Sequence, residues 1–228
     1  ETIYMVFISG FLSIVIGLAL GVIVFLTGRQ QALANRPIHL VLSFIVNATR
    51  SLPFIILLIA IIPFTALIVG TSIGTNAAIV PLTLAAIPFF ARVAENAFSE
   101  KSEDLLETAA SMGATTWQLV TKFLIPESLP SLINGATLTI IGLIGYSAMA
   151  GTVGGGGLGE LAINFGYQRF NVVVMLETVV VLIVIVQLVQ AFGDRLASTR
   201  KLQALGSVVV IFIGLCLVYQ LWPAQSVA

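Results

Sequence analysis

The sequence predicts an all-α polytopic membrane protein. Three observations predict it. Of 228 residues, 58% are hydrophobic and only 9% charged, with a mean hydropathy of +1.10, where an ordinary soluble domain carries about 25% charged residues. That much apolar surface cannot be hidden in one soluble core, so the solvent is a bilayer. Six apolar runs, at about residues 3–27, 40–68, 77–98, 131–150, 171–192 and 204–222, are each close to the roughly 20 residues that a helical span needs. None shows the two-residue alternation of a barrel strand, so the runs are helices.

The same composition excludes other classes. Net charge is zero, so no basic surface points to nucleic acid. Cys216 lies in an apolar run and reads as a structural thiol. His39 is the one histidine and has no partner at metal-ligand spacing. The chain starts at Glu1 rather than Met, so further N-terminal sequence is expected. The first run is long enough to span and does not read as a cleaved signal peptide.

The second run is interrupted by Arg50 and Pro53, which predicts a helix that tilts, kinks or lies near the interface in its first part. An arginine at a helix centre costs about 2.5–3.5 kcal/mol even on the lenient insertion scale. Arg50 must therefore reach the interface, a partner acid or an aqueous cavity. In the third run, Arg92 and Glu95 stand three apart and can pair on one helix face.

Between the third and fourth runs lies "SEDLLETAASMGATTWQLVTKFLIPESLP", too long and too patterned for a bare connection. Ser102 with Glu103 and Asp104 reads as a helix start. Leu105, Leu106, Ala109 and Met112 recur at helical spacing, and Gly113 supplies a tight or left-handed turn. Thr115 caps a second helix whose apolar face is Trp117, Leu119, Val120 and Phe123; Pro126 ends it and Pro130 opens the next span. Two short amphipathic helices need something to pack on. The candidates are the membrane surface, the underside of the protein's own spans, or a separate protein.

The fourth run ends in "GYSAMAG", where the flexible thioether of Met149 sits among small residues, with Tyr146, Ser147 and Thr152 as polar neighbours. Met149 either plugs a narrow path or packs against lipid or core. The following "GGGGLGE" contains G-x-G-x-x-G, but it follows a span rather than a strand and lacks a Lys-Ser/Thr, so it is no phosphate cradle. It reads as a flexible or tightly packed loop. Glu177, early in the fifth run, either lines a cavity or lies close enough to the surface to hydrate.

Orientation follows the cations. Arg29, Arg36, Lys101, Lys122, Arg195, Arg200 and Lys201 all fall in alternate loops, whereas the opposite loops hold only Arg169. The positive excess marks the cytoplasmic side. Both termini are then expected outside and the patterned loop inside, with Trp222 at the outer interface. The sequence shows no fixed-period internal repeat.

Glu107, Ala109 or Ala110, Gly113, Ile125 and Pro126 resemble the "EAA…G…I-LP" loop of bacterial ABC importer permeases. Thr108 stands where a first alanine is usual and Ile125 where leucine often stands. The segments "RSLPFIILLIAIIPFTALIVGTSIGTNAAIVPLTLAAIPFFARVAENA" and "GYSAMAGTVGGGGLGELAINFGYQRF" further resemble the methionine importer permeases, over about residues 1–195. The resemblance implies a five-helix permease core in the bacterial inner membrane, with coupling helices at about 102–126. It implies a homodimer with two ATP-binding cassette subunits, which hold the ATP and Mg2+, and an external methionine-binding lipoprotein. It places Met149 at the gate on the dimer axis, with Tyr146, Ser147, Thr152 and Arg50 along the path. The permease itself would carry no cofactor and no catalytic site. Residues 196–228 go beyond that pattern and are expected to form a linker and an extra span. That span either tethers an external binding domain or stabilises the complex. The alternatives are a permease for another small amino acid or a quaternary amine, or an ion-coupled secondary transporter. An intramembrane enzyme would need paired catalytic groups, and the spans offer none.

Overall fold

The computed structural model describes residues 1–28, 33–100, 109 and 111–198. In chain order the helices are α1 (Thr2–Thr27), α2 (Arg36–Ser51), α3 (Phe54–Ala60), α4 (Ile62–Val69), α5 (Thr75–Ser99), α6 (Thr116–Gly151), α7 (Gly157–Leu161) and α8 (Val172–Ser198). Among the described residues α1, α5, α6 and α8 are long and apolar enough to cross a membrane. The expected sixth span, with Cys216 and Trp222, lies outside the described residues.

The second apolar run is not one straight rod. α2 and α3 meet at 103°, because Pro53 excludes its predecessor Leu52 from helical geometry, and Leu52 is extended at φ −78° and ψ 128°. α2 buries only Val46. Its start is set by Asn35, whose side chain accepts from the Ile38 amide.

α1 packs along α5 through small residues, the usual device where lipid gives no hydrophobic drive to helix pairing. A Cβ on Gly17 would stand 2.9 Å from the Ile87 carbonyl, and one on Gly21 2.7 Å from that of Ala91. Ser13 Oγ donates to the Ser9 carbonyl (2.6 Å) and, across the interface, to that of Thr83 (3.2 Å). Ser128 Oγ on α6 likewise donates to the Ala97 carbonyl of α5 at 3.1 Å.

Two apolar clusters form the core, one at each end of the bundle. One joins Leu18, Phe25, Phe90, Phe98, Leu124 and Leu132, with the Phe25 and Phe98 rings 5.7 Å apart and tilted. The other joins Met5, Phe54, Leu82, Leu143, Ile144 and Ala150. α8 touches mainly α6, where Gly193 sits against Thr137, and it buries only Thr178 and Gly193. Its remaining surface is mostly apolar, with Glu177 exposed near its start and Asp194 and Arg195 near its end.

α6 overrides a sequence expectation. Pro126 does not end a short helix, and Pro130 does not open a span; both lie within one helix of 36 residues. The turn Leu119–Leu124 is π-helical, closed by the Ile125 amide on the Val120 carbonyl. An i→i+5 turn widens the backbone just ahead of Pro126, giving its ring room and tolerating its missing N–H. The span therefore grows directly out of the patterned loop.

Candidate docking turn and translocation path

Of the expected docking residues, Glu107 and Ala110 lie outside the described residues, as do Ser102, Glu103, Asp104, Leu105 and Leu106. The turn itself is described. Gly113 has φ +67° with nothing within 4 Å of where a Cβ would stand. Backbone conformation, not space, requires glycine there. The Ala114 amide reaches back to the Ala109 carbonyl at 3.0 Å, the six-to-one bond that closes a helix through a left-handed residue.

The next helix starts two residues on. Thr115 Oγ1 accepts from the Gln118 amide (3.3 Å), and Gln118 Oε1 accepts from the Thr115 amide (3.0 Å), a reciprocal capping box. Thr115 was legible as the cap; its return partner Gln118 was not singled out, although its three-residue offset was the signal.

One face of this helix–turn–helix is committed to the protein itself. Ala109, Leu119, Val120, Leu124 and Ile125 are buried in the cluster with Phe25 and Phe98. The other face is open: Met112 is 70% and Trp117 40% exposed. The apolar residues expected on a single face are thus split, Leu119 and Val120 inward and Trp117 outward. Pro126 is exposed, and Ile125 beside it is buried. The segment packs against α1 and α5 through Phe25 and Phe98 while presenting a methionine and an indole outward.

At the opposite end of α6 the expected path residues separate. Met149 is 48% exposed, and Thr152, also exposed, donates its Oγ1 to the Met149 carbonyl at 2.8 Å. Ser147 is buried with its hydroxyl spent on the Ile144 carbonyl at 2.7 Å, so it lines no open surface of the protomer. Tyr146 is half-buried and stacks on Phe54, centroids 4.6 Å apart and planes 9° from parallel. Arg50 is exposed, its guanidinium carbon 5.7 Å from the centroid of the Phe89 ring. Glu177 is exposed as well.

The glycine-rich loop between α6 and α7 is packed. Gly154, Gly156 and Gly157 all have φ near +80°. The Gly154 carbonyl accepts from the Gly74 amide (2.8 Å). The Gly157 amide donates to the Glu1 carboxylate and the Leu158 amide to Thr2 Oγ1, each at 2.8 Å. Sequence reasoning missed Glu1, Thr2 and Gly74 as anchors; two polar residues just ahead of a long apolar run were the available signal.

Arg92 and Glu95 pair at 2.7 Å. His39 Nδ1 lies 3.1 Å from the Val24 carbonyl and Nε2 3.4 Å from Ser43 Oγ. Among the described residues no group of His, Cys, Asp and Glu is arranged to hold a metal ion.

Comparison with known proteins matches this architecture over most of the chain. The D-methionine transport system permease protein MetI of Pasteurella multocida, so named as probable, is 56% identical over 198 residues, covering 87% of this chain and 91% of its own. The corresponding protein of Vibrio cholerae is 52% identical over 196 residues, covering 86% and 87%. A chain of the inward-facing MetNI methionine ABC transporter superposes with a TM-score of 0.86 at 51% identity, covering 89% of this chain and 93% of that one. The family described as binding-protein-dependent transport system inner membrane component matches residues 13–201. With an exposed turn at one end of its long helices, a packed glycine loop at the other and a match across most of its length, this chain belongs to the binding-protein-dependent transport system inner membrane components.

Proposed function

We propose that the chain is the permease subunit of an ATP-driven methionine importer, assembled as two copies on two separate ATPase subunits and fed by an external binding protein. The observation that carries the reading is the helix–turn–helix at Ala109–Gly113–Thr115: one face is locked into the bundle and the other, with Met112 and Trp117, is open. A rigid lever with an uncovered apolar tip suits a groove on a motor subunit. Methionine is supported by relatives above 50% identity that bear methionine transport in their names. The turn is assigned to the cytoplasmic side because the cations favour it.

In this reading, nucleotide-driven approach of the ATPases moves the two turns, and α6, continuous with the turn, carries that displacement to Met149 and the glycine loop. Met149 and Thr152 border the path, Tyr146 props that region against Phe54, and Arg50 stands within it. The chain makes and breaks no covalent bond.

The test is purification of the chain from its native membrane, followed by reconstitution. An ATPase subunit should co-purify, and vesicles should take up methionine only with ATP. Uptake by the chain alone under an ion gradient overturns the reading.

A further inference from the structure

We propose that Arg50 is the transient counter-ion for the carboxylate of the amino acid in transit, an inference that rests on the reading above. Three observations lead to it: depth, charge balance and exposure.

Phe89, whose ring lies under the guanidinium, is the fifteenth residue of the 25 in α5. At about 1.5 Å per residue it stands roughly 21 Å from one end and 15 Å from the other, near the middle of a hydrocarbon layer about 30 Å thick. Headgroups of anionic lipid do not lie at that depth.

The nearest acid along α5 is not available to Arg50. Glu95, about 1.7 turns beyond Phe89, is bonded to Arg92 at 2.7 Å, and among the described residues Arg50 forms no ion pair. Among the described residues, this level of the protein therefore carries an uncompensated positive charge.

Arg50 is also on an open surface. It is exposed together with Asn47 and Ser51, at the end of α2 where the chain turns by 103° into α3. A cation in mid-bilayer faces a watered space rather than lipid, and interrupted helices are where transporters place groups that meet their cargo. A zwitterionic amino acid brings one carboxylate past this point. A single exposed guanidinium, steadied by a ring and lacking a cage, can receive that carboxylate and release it again, as conduction requires.

The test uses the intact complex with its ATPase and binding protein in proteoliposomes, trapped with vanadate in the presence of radiolabelled methionine. The readout is label retained per trapped nucleotide, so altered assembly or ATPase rate cancels. Two neutral variants, Arg50→Gln and Arg50→Met, guard against one failing to assemble, and Arg50→Lys restores the charge. The expected result is at least a tenfold lower ratio in the neutral variants and less than a twofold loss in Arg50→Lys. A wild-type ratio in the neutral variants overturns the assignment, as does an equal loss in all three. A wild-type ratio that changes when anionic lipid is replaced by neutral lipid also overturns it, because the occupant is then a headgroup. ATP-dependent uptake by the wild-type vesicles is measured alongside; its absence would instead sink the permease reading.

Discussion

The carboxylate of Glu1 accepts the backbone N–H of Gly157 at 2.8 Å, across 156 positions of sequence. With Thr2 Oγ1 on the Leu158 amide, it ties the start of α1 to the loop that follows Met149. A loop of three left-handed glycines has no side chains to hold it, so anchoring comes from outside.

Replacing Glu1 with Gln keeps a hydrogen-bond acceptor and removes the charge that strengthens the bond. Hydrogen exchange at Gly157 should accelerate in Glu1→Gln and more in Glu1→Ala, with the α1–α5 interface unaffected. Equal protection in all three proteins would show that the loop holds itself.

Gly113 has room for a side chain but not the dihedral angle for one. Gly113→Ala should cost about 1–2 kcal/mol of turn stability, and Gly113→Asn less, because asparagine tolerates the left-handed region. Transport-coupled ATP hydrolysis should fall in the order Gly, Asn, Ala, Pro, while membrane insertion stays intact. An alanine variant coupled as well as the parent would detach the turn's shape from its role.

Thr115→Ala removes the acceptor of the capping box, a loss of about 1 kcal/mol, whereas Thr115→Ser keeps it. Coupled hydrolysis should drop in the alanine variant and persist in the serine one. Identical behaviour of the two would mean that contacts to the partner, rather than the cap, hold this helix.

Along α1 the glycines differ in what they allow. A Cβ at Gly21 would stand 2.7 Å from the Ala91 carbonyl, while at Gly10 the nearest atom is 3.5 Å away. Gly21→Ala should destabilise the protein by about 1–3 kcal/mol and lower its thermal midpoint in detergent; Gly10→Ala should leave the midpoint unchanged. Equal shifts would mean that α1 and α5 slide to accommodate both.

Much of the turn at Gly113 was legible because its chemistry is local. Gly113 demands a left-handed backbone and Thr115 an N-cap, and each acts within a few residues of itself. The kink after Arg50 was legible for the same reason, since Pro53 restricts its own neighbour. Pro126 was misread because a proline does not always stop a helix: here it follows the π turn at Leu119–Leu124 and opens the α-helical stretch that continues to Gly151.

What the sequence determined by itself was the solvent, the helices and the turn: 58% hydrophobic residues demand a bilayer, and a bilayer demands internally satisfied backbone. Only the tertiary structure decided which residues face one another. It buried Ser147 while exposing Met149 two positions on, split Trp117 from Leu119, left Arg50 without an acid among the described residues, and pinned the glycine loop to Glu1. The reason is physical: a helix presents every direction in turn, and which of them is covered depends on neighbours far away in the chain.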